Sequence, residues 1–324
     1  MQPTKNERVV KARIMKLRPR FLIDSLVFKE RVQMTVFCLG SINADHVYQV
    51  QSIPNPGETI ASNSLATGLG GKGANQSVAA AKAGSITKHI GSVGMDGRWA
   101  IDELTAYGVE TDFISTSEQA TGHAIINVDT KGENAIVVHA GANADIKTDA
   151  IKAALNRAKP CDYLLIQNET NGQVEAARIA KQLGVTVVYS AAPFDTDAVK
   201  NIIAEVDVLC VNEFEAAQLE ETFQKPLKSL GLDTVLITKG SKGAELFHQG
   251  KTLVQSSFPV TPLDTTGAGD TFAGFFVAAL EQGNDPAMAL KLAAAAAAIQ
   301  VTRPGAATAI PDRAEVDRFI AANA

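Results

Sequence analysis

From residue 35 onward, short β-branched apolar runs alternate with stretches whose apolar positions recur at helical spacing. The pattern predicts a strand at 35–40, a small-residue helix at 74–83, a strand at 89–93 and a helix at 98–107. It resumes with helix 148–158, strand 163–167, helix 173–182 and strand 185–189. Strand 207–211 then runs into helix 213–220, strand 234–238 follows, and helices at 269–281, 286–300 and 312–321 finish the chain. Two places break the rhythm. Runs 122–128 and 134–139 flank a turn at 129–133, and runs 244–247 and 252–255 flank a turn at 248–251, so both predict hairpins.

Repeated strand–helix alternation predicts a doubly wound α/β fold, a mostly parallel sheet with helices on both faces. Ligands of such sheets bind beyond the carboxyl ends of the strands. The 122–139 hairpin and the Pro/Gly-rich 53–68 stretch read as a small β-sheet lid over that edge. The expected organisation is one domain, 34–324, with lid segments at about 47–68 and 121–140.

Charge changes the picture at the N-terminus. Of the net −5, residues 1–33 hold nine Lys/Arg against three acids, a balance of +6 that leaves −11 for the rest. An acidic body argues against nucleic acid as the main partner. Residues 1–33 read as an extension outside the domain, from a start placed too far upstream, rather than as a functional arm. No apolar run reaches the roughly 18–20 residues of a membrane span, so no membrane partner is expected. Cys38, Cys161 and Cys210 lie at or beside apolar strands without metal spacing, which predicts buried free thiols and a cytoplasmic location. The five histidines also lack metal spacing.

Two glycine-rich stretches carry the candidate chemistry. Gly68-Leu-Gly-Gly-Lys-Gly-Ala-Asn75 formally matches G-x-G-x-x-G at Gly68, Gly70 and Gly73. A dinucleotide fold wants that motif directly after its first strand, with an acid about 20 residues on, and neither holds here. A Walker A reading fails because glycine follows Lys72. These glycines allow close backbone approach to a polar ligand, and Lys72 and Asn75 suit sugar hydroxyls. The plainer alternative is a tight strand-to-helix turn.

The second stretch is Asp264-Thr-Thr-Gly-Ala-Gly-Asp270, just ahead of a helical pattern. Backbone N–H groups of Gly267, Ala268 and Gly269 at a helix start form a nest for an anion. Asp270 is either an ordinary helix-start acid, worth about 0.3–1 kcal/mol against the dipole, or the acceptor of a substrate hydroxyl proton beside that nest. Asn43 and Asp45 by themselves read as caps of the turn after the first strand.

Taken jointly, several stretches resemble PfkB-type carbohydrate kinases, best the ribokinase-like branch. They are Gly40-Ser-Ile-Asn-Ala-Asp45-His46, Pro56-Gly-Glu-Thr59, Gly70-Gly-Lys-Gly-Ala-Asn75, His139-Ala-Gly-Ala-Asn143, Asn212-Glu-Phe-Glu215, Asp264 to Asp270 and Val301-Thr-Arg-Pro-Gly305. Order and spacing hold from about 35 to 320. The resemblance implies ATP-dependent phosphorylation of the 5-hydroxyl of ribose, with Asp270 as base and Gly267–Gly269 as anion hole. It implies that Asn43, Asp45, Gly71, Lys72, Asn75 and Glu169 bind the sugar. Asn212 and Glu215 would organise Mg²⁺ or another divalent cation, partly through water, with Asn212, Thr238, Gly240, Ser241 and Gly269 on the ATP side. A K⁺ site would use the Asp264 side chain and carbonyls near Thr266, Gln300, Arg303 and Gly305. The lid would also form a homodimer contact.

Three positions depart from that pattern. Ser190-Ala-Ala-Pro193 stands where Asn-Pro-Ala-Pro is common, Ala309 where a serine often completes the cation site, and Ala294 where a polar ATP-side residue is expected. The other readings are a kinase for another furanose, deoxyribose or a nucleoside, a nicotinamide-dependent oxidoreductase, and a non-catalytic sugar sensor.

Overall fold

The computed structural model describes residues 34–323; the expectation for residues 1–33 lies outside them. The first half runs β1 (Thr35–Leu39), β2 (Asn43–Gln49), β3 (Ser64–Gly70), α1 (Lys72–Lys82), β4 (Ile86–Val93), α2 (Arg98–Ala106), β5 (Glu110–Thr116), β6 (Gly122–Val128), β7 (Asn134–His139) and α3 (Thr148–Leu155). There follow β8 (Tyr163–Ile166), α4 (Gln173–Gln182), β9 (Thr186–Ser190), α5 (Thr196–Ile202), β10 (Val208–Asn212), α6 (Glu213–Phe223), β11 (Thr234–Thr238), β12 (Ala244–His248) and β13 (Lys251–Gln255). Helices α7 (Ala268–Glu281), α8 (Pro286–Gln300) and α9 (Arg313–Ala322) close the chain.

Two sheets result among the described residues. The large one has nine strands in the order β13-β12-β11-β10-β9-β8-β1-β4-β5. It is parallel except for the terminal β11–β12–β13 meander. The small one has the order β3-β2-β6-β7.

Alternation inside each strand decides which face a side chain joins. Val36 and Cys38 of β1 enter the core under α1, α7 and α8, while Phe37 and Leu39 enter the core under α3, α4 and α6. In β10, Val208 and Cys210 divide from Leu209 and Val211 in the same way. Both of these inner strands are therefore apolar on both faces, as a sheet covered by two helix layers requires. Local chemistry sets the helix starts: Asp285 caps α8 by accepting from the Met288 amide at 2.9 Å, with Pro286 in the first turn.

The strand order also locates the site. From β1 the chain first adds β4 and β5 on one side and later β8 to β13 on the other. The connections diverge at β1 and β8, which opens a crevice at their carboxyl ends. Ser41 follows β1 and Glu169 follows β8, and the Ser41 hydroxyl donates to the Glu169 carboxylate there.

Four elements were not legible beforehand: β2, β3, β5 and α5. Strand β2 carries Asn43 and Asp45, and β3 ends in Gly68 and Gly70, all residues that signal turns. Pairing across the small sheet overrides those propensities, with Asn43 opposite both Gly70 and Gly122. One cysteine expectation is corrected. Cys38 and Cys210 are buried, but Cys161 is exposed in the turn before β8, with φ of 82°.

Candidate active site

The first turn of α7 begins at Gly267, whose φ of 75° is left-handed and favours glycine. Gly267, Ala268 and Gly269 line a cavity of about 170 Å³ together with Lys72, Asn212, Glu215 and Asp270. Thr238, Ala268, Gly269 and Phe272 are shared with a larger, mostly apolar cavity of about 510 Å³. Gly240 and Ser241 line the larger one, as does Ala294. The helix start therefore stands between a small polar chamber and a space with room for a base and sugar.

Asp270 is 8 % exposed. Its Oδ1 accepts from Gln76 Nε2 at 2.8 Å and its Oδ2 from Asn75 Nδ2 at 3.2 Å. Burial raises its pKa above the ordinary carboxylate value; the Lys72 charge and the two amide donors oppose that rise, and Glu169 adds to it. A carboxylate poised this way takes up a proton more readily than a solvated one.

The other predicted sugar contacts gather beside it. Asn43 Oδ1 accepts from Asn143 Nδ2 at 2.7 Å, and Asn143 is itself tied to the backbone of Ile42 on both sides of its amide. That clamp orients the Asn43 side chain. Burial, then Glu169 and Asp270, push the Asp45 carboxyl up to about 6. Glu169 accepts from the Lys72 amide at 3.0 Å, just after Gly71. The Lys72 ammonium is half-buried among carboxylates; Asp270 first, then Glu169 and Glu215, hold its pKa above the usual lysine value against burial.

Asn212 and Glu215 form a reciprocal capping box at the start of α6. Asn212 Oδ1 accepts from the Phe214 and Glu215 amides, and Glu215 Oε2 accepts from the Asn212 amide at 2.8 Å. This leaves Asn212 Nδ2 and Glu215 Oε1 for the chamber. The residues named for K⁺ also converge. Asp264 accepts from the amides of Thr266 and Gly305, each at 2.9 Å. The Gln300 side chain donates to the Thr266 carbonyl, and the Arg303 amide donates to the Gln300 carbonyl.

Sequence reasoning missed Ser41, Gln76 and Gln167, and did not assign Asn143 a role. Gln76 directly follows Asn75, but nothing in the local pattern says that its amide reaches Asp270. The dinucleotide reading fails structurally: Gly68 and Gly70 lie on a strand of the small sheet, not in the turn after β1.

A buried acid one residue past a glycine-rich helix start, at the switch point of a doubly wound sheet, is an arrangement phosphoryl transfer can use. The chain matches the pfkB family carbohydrate kinases over residues 33–313 and belongs to that family. It is 38 % identical to a ribokinase of Haemophilus influenzae over 89 % of this chain and 99 % of that protein. The structure of Arabidopsis thaliana ribokinase complexed with ribose and ATP is similar at a TM-score of 0.78 and 32 % identity, covering 89 % of this chain and 98 % of that one. Thermotoga maritima ribokinase matches at a TM-score of 0.80 and 32 % identity, covering 89 % and 99 %.

Proposed function

We propose that this protein transfers the γ-phosphoryl group of ATP to the 5-hydroxyl of D-ribose. The observation that carries the reading is the position of Asp270, one residue beyond the anion nest and hydrogen-bonded to Asn75 on the sugar side. The ribose hydroxyl gives its proton to Asp270 as its oxygen forms the new bond to phosphorus. The bond from phosphorus to the bridging oxygen of ADP breaks in the same displacement. The amides of Gly267 and Gly269 face the charge on the transferring group, where preorganised donors act most strongly, while the Ala268 amide donates to the Thr265 carbonyl at 3.2 Å.

Two features support a sugar as the acceptor. The Asp45 carboxylate has no hydrogen-bond partner among the described residues, and Asn75 Oδ1 is buried without one. Both are acceptors suited to hydroxyl donors, and the identity to ribokinases favours ribose. The small sheet acts as a lid over them and limits water at the reacting phosphate.

The donor sets fit the cations this chemistry uses. Mg²⁺ keeps several waters and takes one or two carboxylates plus phosphate oxygens. Glu215 with Asn212 matches that demand, and the ion neutralises charge on the nucleotide phosphates when bound. For K⁺, Asp264 draws the 264–266 and 303–305 loops together, and Gln300 Oε1 is buried without a partner. The buried methyl of Ala309 supplies no oxygen there. A homodimer through the lid is supported by Ile136, Val137 and Val138, which are exposed on the edge strand β7. No helix among the described residues is long and apolar enough to cross a membrane, and the free thiols fit a cytoplasmic enzyme.

The deciding assay offers ribose, 2-deoxyribose, fructose and nucleosides with ATP and Mg²⁺, with and without K⁺. Ribose should be turned over with the highest kcat/KM. Absence of ribose turnover, or strong preference for a nucleoside, sinks the reading.

A further inference from the structure

Two buried glutamine amides form a chain that ends on the base. Gln167, just past β8, donates from Nε2 to Gln76 Oε1 at 2.7 Å. Gln76, on α1, donates from its own Nε2 to Asp270 Oδ1 at 2.8 Å. Both glutamines are fully buried.

A primary amide has one accepting end and one donating end. The bond from Gln167 therefore decides which end of Gln76 faces Asp270. With Gln167 donating into Oε1, the Nε2 end is left for the carboxylate. Turned over, Gln76 would present Oε1, which makes a hydrogen bond only with a protonated carboxyl. Gln167 is itself anchored, since its backbone carbonyl accepts from Gln173 Nε2 at 3.2 Å and its side-chain Nε2 also reaches Cys38 Sγ at 3.5 Å. Its Oε1 is buried without a partner. That oxygen goes unsatisfied while the donor end points at Gln76.

We infer that Gln167 is a positioning residue, which holds the Gln76 amide in the one orientation that keeps Asp270 ionised and ready to accept a proton. Gln167 does this from outside the reacting centre. The inference rests on Asp270 being the base. Other charged or titratable groups also face Asp270: Lys72 from α1, Glu169 after β8, Asp45 from β2, Glu215 from α6 and the Cys38 thiol from β1. None of these hydrogen-bonds the Gln76 amide among the described residues, and Cys38 alone touches the relay, through its Sγ contact with Gln167 Nε2.

The test compares pH profiles of kcat for the wild type, Gln167→Leu, Gln76→Met and the double variant, with Asp270→Asn as reference. Gln167→Leu and Gln76→Met should each move the acid limb upward by about one pH unit. Near the foot of that limb kcat should fall about tenfold and recover toward the wild-type value at alkaline pH. KM for the sugar should stay within about twofold. The double variant removes both amides together, so neither is left half-paired, and the charged end of the relay loses only the Gln76 donor to Asp270 Oδ1; it should fold even where a single variant does not. Its shift should equal that of Gln76→Met alone. An unmoved limb, with kcat lowered equally at every pH or not at all, overturns the relay. An inactive Asp270→Asn together with an unmoved limb defeats the relay alone. An active Asp270→Asn defeats the base assignment beneath it.

Discussion

The carboxylate of Asp45 lies against the α-carbon of Gly70, so closely that a β-carbon there would overlap it. The two residues sit on paired strands of the small sheet, with Asn43 opposite Gly70 and Asp45 opposite Gly68. The missing side chain at position 70 is what lets the Asp45 carboxylate reach its place near Glu169 and Asp270.

Gly70→Ala follows directly from that contact. The obstructing atoms are the end of a short side chain, so the fold should survive while the carboxylate is displaced. The KM for sugar should rise about tenfold, equivalent to roughly 1.4 kcal/mol, with KM for ATP unchanged. Steady-state kinetics with each substrate varied, beside a thermal melt, separates this from unfolding.

Asp270→Asn keeps the shape and the buried position of the base but removes its proton affinity. Turnover should drop by a factor on the order of 10² to 10⁴, the usual worth of general-base assistance. Sugar binding by calorimetry should be nearly unaltered. Near-normal turnover would assign the proton to another acceptor.

Sugar binding should itself depend on pH. The Asp45 carboxyl, raised to about 6 chiefly by burial, is ionised above that pH and protonated below it. Hydrogen bonds to an ionised acceptor are roughly twice as strong as neutral ones, so affinity should fall as pH drops through about 6. Calorimetric titration without nucleotide, between pH 5 and pH 8, checks the limb. Asp45→Asn should bind more weakly and lose the pH dependence.

Acid stability should show a separate buried group. His89 is fully buried, with Ser77 Oγ at 2.8 Å from Nδ1 and the Gly40 carbonyl at 3.1 Å from Nε2. Burial lowers its pKa to about 4, while the unfolded chain takes up the proton near 6.5. The unfolded state therefore binds more protons between those values, and stability rises with pH across that window. The contribution is fully present above about 6.5 and is lost as pH falls to about 4, amounting to about 3 kcal/mol. Urea unfolding at a series of pH values should show this slope, and His89→Gln should flatten it by one proton.

Much of the large sheet was legible because its central strands, such as β1 and β10, are apolar on both faces and most intervening helices follow their own period. The 122–139 hairpin, α4, β11 and α8 fall on the residues that periodicity marks. Legibility ended where side chains serve a site rather than a core. Asn43, Asp45, Gly68 and Gly70 carry turn chemistry, and only a neighbouring strand makes them part of a sheet. Cys161 has the neighbours of a buried thiol in sequence, but its left-handed backbone turns it to solvent.

The sequence by itself determined most of the strand–helix order and the contiguous unit from Gly267 to Asp270, because a glycine-rich helix start and its adjacent acid need only one turn of helix. It also supplied Asn212 and Glu215, three residues apart, which the structure joins as a reciprocal capping box. Only the tertiary structure decided which groups share a charge field and which way the amides point. Asp270 receives its donors from Asn75 and Gln76, nearly two hundred residues earlier, and Gln76 takes its orientation from Gln167. Hydrogen-bond direction at a buried amide depends on its partners, and those partners meet only when the sheet folds and brings α1, α7 and the end of β8 together.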